Sequence, residues 1–131
     1  MKKILFILAL LAILLIAGCG KKVDTTVQGN TIEITDKGFS PKELKIKQGD
    51  KVTWMNKDSL GHWPASAMHP THEKYPGSSI KKCGTSEESS IFDACKNVEA
   101  GSSWSFTFNE KGTWAYHDHS NPTLFGKVVV E

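Results

Sequence analysis

Apolar and polar residues alternate with a period of two in three early segments, Thr31 to Thr35, Glu43 to Lys47 and Lys51 to Asn56. Ile32 with Ile34, Leu44 with Ile46, and Val52 with Trp54 then share a face in each segment, the pattern of half-buried strands. Gly38, Pro41 and Gln48-Gly49-Asp50 separate them and supply turn chemistry. Alternation returns in Ser103 to Phe108, where Trp104, Phe106 and Phe108 share a face, and after the turn at 109–112 it continues through Thr113 to His119. In that last run Trp114, Tyr116 and Asp118 fall on one side, and Ala115, His117 and His119 on the other. Lys127 to Val130 predicts a closing strand. No long helical period occurs after residue 18, so the pattern predicts an all-β domain of six to eight short strands in two packed sheets.

Two stretches break the pattern. Residues 57–101 show no sustained period and hold many Gly, Pro, Ser and His residues, which marks a functional or disordered loop. At the other extreme, Ile4 to Ala17 is unbroken apolar sequence behind Lys2 and Lys3. It is shorter than the roughly 20 residues a membrane span needs and reads as the hydrophobic region of an export signal. The run ends in Ile16-Ala17-Gly18-Cys19, which resembles the bacterial lipoprotein box, and the resemblance implies acylation of Cys19. The expected organisation is a signal peptide over 1–18, a lipid-anchored cysteine with a polar tether over 19–29, and one domain over 30–131. The product would be exported and held on the cell membrane, facing the periplasm or the exterior.

Export changes how the remaining cysteines read. Cys83 and Cys95 form a leftover pair in an oxidising compartment, where disulfides persist, so a bridge is expected across the Ser-, Glu- and Gly-rich segment between them, which by its composition cannot order itself by burial. The alternative is two free thiols in a metal site, although neither belongs to a Cys-x-x-Cys pair. Charge excludes one class of partner. All sixteen basic residues are lysines, and without residues 1–18 fourteen lysines face fourteen acids, so no basic surface for nucleic acid is expected.

The five histidines, His62, His69, His72, His117 and His119, lie only in the long loop and at the end of the penultimate strand. Imidazole is the commonest metal ligand, and metal sites gather ligands from separate segments. The run from Phe39 to Asp58, which includes Pro41-Lys42-Glu43-Leu44 and Val52-Thr53-Trp54-Met55-Asn56, resembles the N-terminal half of plastocyanin-like cupredoxins. Gly112-Thr113-Trp114-Ala115-Tyr116-His117-Asp118-His119, with Asn121-Pro122 and 126–130, resembles their closing hairpin. The resemblance implies a cupredoxin-like Greek-key β-sandwich with a long disulfide-pinned loop, a copper cofactor, and a redox or copper-delivery protein partner. His62 matches the family's first copper histidine. Asp118, Asn121 and Leu124 stand where the family has Cys, His and Met, so a blue thiolate centre is not expected.

His62, Asp118 and His119, with His69, His72 and His117, are therefore the candidate ligands of a non-blue His/Asp site, for copper or alternatively zinc. Asp118 would lie on the face where the family's cysteine meets the metal, while His117, if strand alternation turns it outward, would contribute less. Pro70 between His69 and His72 excludes a shared helical face and requires them to approach from a turn. Met68 could add a weak soft ligand, and Trp63 would cover the site or the core edge. No Gly-x-Ser-x-Gly elbow, His-Glu-x-x-His helix or phosphate loop occurs. The reading is thus a copper-handling or electron-transfer protein more than an enzyme. Its alternatives are a metal-free interaction module and a small copper or zinc redox enzyme.

Overall fold

The computed structural model describes residues 29–131. The signal, Cys19 and all of the tether but its last residue lie outside them.

Eight strands form two four-stranded sheets. β1 (Thr31–Thr35), β2 (Gly38–Ser40), β4 (Lys51–Asn56) and β6 (Ser103–Thr107) make the first sheet in the order β2-β1-β4-β6. β3 (Glu43–Ile46), β5 (Pro64–Ser66), β7 (Gly112–Asp118) and β8 (Asn121–Val130) make the second in the order β3-β8-β7-β5. β1 runs parallel to β4 and β3 parallel to β8, and the remaining neighbours are antiparallel. The period-two segments are strands as expected. β2 and β5 had no signal of their own, because three residues cannot display a period. β8 begins at Asn121, six residues before the expected closing strand.

The inward rows meet on Trp54, which is fully buried. Its ring centroid lies 5.4 Å from both Phe92 and Tyr116 and 5.2 Å from Trp104. Contrary to the expectation from composition, the segment between Cys83 and Cys95 does anchor itself by burial at its end, and the rest of 57–101 is ordered with it. Tyr75, Ile91 and Phe92 are buried, Phe92 stacks on Phe106 at 5.3 Å, and the Tyr75 hydroxyl accepts the backbone N–H groups of Asn109 and Glu110. Two short 3-10 turns, Ile80–Lys82 and Glu88–Ser90, span its polar middle. The Cys83–Cys95 disulfide joins that middle to the buried end, with Cα atoms 5.3 Å apart.

The loop also extends the second sheet. Ser66 N–H donates to Phe92 and Ala94 N–H donates to Pro64, so residues 92–94 run along the free edge of β5. Ala65 is bridged by Asp93 on one side and paired with His117 on the other, and His117 in turn pairs with Phe125. Partners across strands share a face. Asp93, Ala65, His117 and Phe125 therefore form one row on the outer face of this sheet, away from the aromatic core.

Candidate metal centre

Strand parity separates the candidate residues into two groups. Asp118 continues the inward row of Trp114 and Tyr116, and His117 points to the opposite face.

On the inner side His62 and Asp118 meet directly. His62 Nδ1 lies 2.7 Å from Asp118 Oδ2, and its Nε2 lies 3.0 Å from Asp58 Oδ2. His62 is 5% exposed and Asp118 fully buried. Burial works to lower the His62 pKa, but the hydrogen bonds and charges of the two aspartates outweigh it and raise it above the usual value. The same bond holds the Asp58 carboxyl below its ordinary range. Asp118 Oδ1 also accepts the backbone N–H groups of Trp63 and Ser120, tying β7 to the loop before β5. Both nitrogens of His62 are thus engaged by carboxylates. Asn121 is exposed, and Leu124 packs against the core.

On the outer side four imidazoles converge. His69 and His72 come from a turn after β5, in which His72 N–H donates to Met68 and the His72 backbone takes a left-handed φ of 61°. A non-glycine residue there carries strain that the surrounding structure must sustain, a feature concentrated at functional sites. His117 comes from β7, and His119 is fixed just beyond it by its N–H bond to the Trp63 carbonyl. Ring centroids of His69–His119, His72–His119, His72–His117 and His69–His117 lie 4.9, 4.9, 5.0 and 5.4 Å apart. The remaining two pairs, His69–His72 and His117–His119, are each 6.4 Å apart. Four shorter edges and two longer diagonals describe a flattened tetrahedron.

Ligating atoms of His69, His117 and His119 lie within 4.8 Å of one another, and His72 Nε2 lies 3.0 Å from His119 Nδ1. Cys83, Asp93 and Cys95 also cluster, but both sulfurs are consumed in the disulfide. Met68 is exposed. Trp63 covers His119 with centroids 4.4 Å apart and donates its indole N–H to Asp93.

His117 is 5% exposed rather than solvent-facing, because the turn that carries His69 and His72 covers the outer face. Neither of its ring nitrogens has a hydrogen-bond partner among the described residues. An unpaired buried imidazole is costly, and a metal ion is one partner that imidazole nitrogens can take. Burial, reinforced by His72, His69 and His119, pushes the His117 pKa down to about 4, and burial with the neighbouring His72 and His69 also lowers that of His119. His117 and His119 thereby favour the neutral form that metals require. The donor set fits a borderline divalent ion.

One buried residue at this site escaped the sequence reading. Asp93 is 2% exposed and binds His72 Nδ1 through Oδ2 at 2.5 Å. Its position in a Ser- and Glu-rich stretch gave no sign of this. The one available signal was the apolar Ile91-Phe92 pair immediately before it.

The two sheets and their aromatic core, with candidate metal ligands gathered at one end of β7, define a cupredoxin. The chain belongs to the plastocyanin/azurin family of copper-binding proteins, whose family model matches residues 23–131. It is 30% identical over 100 residues to amicyanin of Paracoccus denitrificans, a match spanning 76% of this chain and 63% of that protein's length, somewhat less than two thirds. It is 29% identical over 118 residues to amicyanin-alpha of Methylorubrum extorquens, covering 89% and 85% of the two chains. Among solved structures, a purple cupredoxin from Nitrosopumilus maritimus superposes with a TM-score of 0.58 at 25% identity, over 77% of this chain and 98% of that one.

Proposed function

We infer that this protein is an extracytoplasmic copper protein that holds one copper ion among His69, His72, His117 and His119, on the outer face of the second sheet, and serves in copper handling or one-electron transfer. The reading is carried by His117, a buried imidazole with no partner for either nitrogen, enclosed by three more imidazoles. The flattened arrangement suits Cu(II), which favours tetragonal geometry and binds most tightly in the divalent series, better than Zn(II), which favours a regular tetrahedron. Membership of a copper-binding family points the same way.

His62 and Asp118, at the places suggested by the family pattern, act as a closed ion pair that braces β7, and they leave the imidazole cluster to bind the metal. Bound copper would supply a Cu(II)/Cu(I) couple. The chain's own contribution is to gather four imidazoles, His72 and His117 of them buried, with Trp63 over His119. Export and tethering through Cys19 rest on the apolar run and the lipoprotein-like box, and would place the site outside the cytoplasm.

The test is a Cu(II) titration of the purified full chain, followed by optical and EPR spectra. One equivalent should bind tightly, with several equivalent nitrogens in the EPR hyperfine pattern and only weak visible absorption, because no thiolate is available for strong charge transfer. Failure to retain stoichiometric copper would return the protein to the metal-free interaction module. An intense blue or purple colour would show that a cysteine ligates.

A further inference from the structure

We propose that Asp93 is the positioning residue of the copper centre, fixing His72 in the tautomer whose Nε2 is free to face the metal. This deepens the four-imidazole reading above and rests on it.

A neutral imidazole carries one N–H, on either nitrogen, and only the bare nitrogen can ligate. His72 is fully buried, so solvent does not choose between the two. Asp93 does. Its Oδ2 lies 2.5 Å from His72 Nδ1, and a carboxylate can only accept, so the proton resides on Nδ1. Nε2 is left bare, 3.0 Å from His119 Nδ1 and within the cluster.

The carboxylate cannot rotate away. Oδ1 accepts the Trp63 indole N–H at 2.6 Å and the Cys95 backbone N–H at 2.8 Å. The backbone on either side of Asp93 is bonded to β5, Phe92 is anchored in the core, and Cys95 is held by the disulfide. Asp93 and His117 flank Ala65 in one row, and the short alanine side chain between them leaves space for the His72 ring, whose centroid lies 5.0 Å from that of His117. Outer partners of this kind orient ligating histidines and raise their basicity.

The two N–H donors on Oδ1 make the isosteric variant informative. In Asp93→Asn the amide oxygen must take the Oδ1 place, which turns the NH2 towards His72 Nδ1. A donor there forces the His72 proton onto Nε2, pointing it into the metal site. Imidazole nitrogen NMR of the metal-free full chain at neutral pH should show His72 with its proton on Nδ1, and on Nε2 in Asp93→Asn. Cu(II) affinity, measured by chelator competition, should fall roughly 10–100-fold in Asp93→Asn. Asp93→Glu should recover part of the loss, and in a His72→Ala background Asp93→Asn should cause little further loss.

A His72 tautomer unchanged by Asp93→Asn would overturn the proposal, as would unchanged copper affinity or an equal loss in the His72→Ala background. The NMR arm needs no copper, so it tests Asp93 separately. A wild-type chain that binds no Cu(II) overturns the copper reading itself, and the role of Asp93 at a copper centre with it.

Discussion

At the level of single residues, adjacent positions on β7 have opposite duties. Asp118 faces inward to His62, and His117 faces outward into the imidazole cluster. His117→Ala should therefore weaken copper binding by more than the roughly 10–100-fold typical of losing an outer partner. His62→Gln, whose amide can still donate to Asp118, should leave copper affinity within a few-fold while lowering the melting temperature. Calorimetric copper titration beside thermal melts separates the two effects, and a collapse of binding in His62→Gln would place the metal on the inner face instead. The pH dependence of the metal-free protein follows from the same residues. His117 and His119 have depressed pKa values, so the unfolded chain binds their protons first; the stabilisation from His117 is lost as pH falls from about 6.5 towards 4, and that from His119 as pH falls from about 6.5 through its lowered folded value. The lowered Asp58 and Asp93 values add to that acid limb. His62 has the opposite sign. Its stabilisation is complete below about 6.5 and is lost as pH rises through its elevated folded value. Melting temperature should thus fall on both sides of a near-neutral maximum, and a flat profile between pH 4 and 9 would contradict these environments.

At the level of elements, strands of four or more residues with one buried face announced themselves, because alternation over that length is a strong signal. β2 and β5 did not, being too short, and the first half of β8 is exposed and so lacks a buried row. The gathering of histidines was legible, and the parity of His117 and Asp118 already implied two faces. Their division into an inner ion pair and an outer cluster was not drawn from the sequence, since it depends on where the turn from Met68 to His72 folds. Asp93 was hidden for a similar reason: its partners lie 21 and 30 positions away. The elements make a packing prediction at Gly126. A Cβ there would lie 2.5 Å from the Tyr116 hydroxyl and 3.0 Å from the Lys42 carbonyl, and Tyr116 is held edge-on against Phe39 and Trp54. Gly126→Ala should cost about 1–3 kcal/mol, read from denaturant unfolding. The disulfide makes another. Closing a loop of this length is worth roughly 3 kcal/mol in the chain-entropy model, so reduction should lower the melting temperature by roughly 10–20 °C.

For the molecule as a whole, Cys19→Ala should release the protein from the membrane fraction while leaving the copper titration unchanged, since the described domain from residue 29 contains every residue of both groups. Fractionation of the variant with membranes as before would remove the anchor. The four imidazoles differ in their access to solvent: His72 and His117 are buried, His119 is half-buried, and His69 stands exposed on its turn. A metal held at this cluster would enter and leave past His69. Ala67 N–H to Ala115, Lys74 N–H to Ala67 and Ile80 N–H to Thr71 hold the backbone around that turn, and Asp93 holds His72, but the His69 side chain at its tip is exposed. Local opening of such a segment takes far less free energy than global unfolding. A bound ion would thus leave by way of the exposed His69, and its residence time would follow local opening there rather than unfolding of the domain.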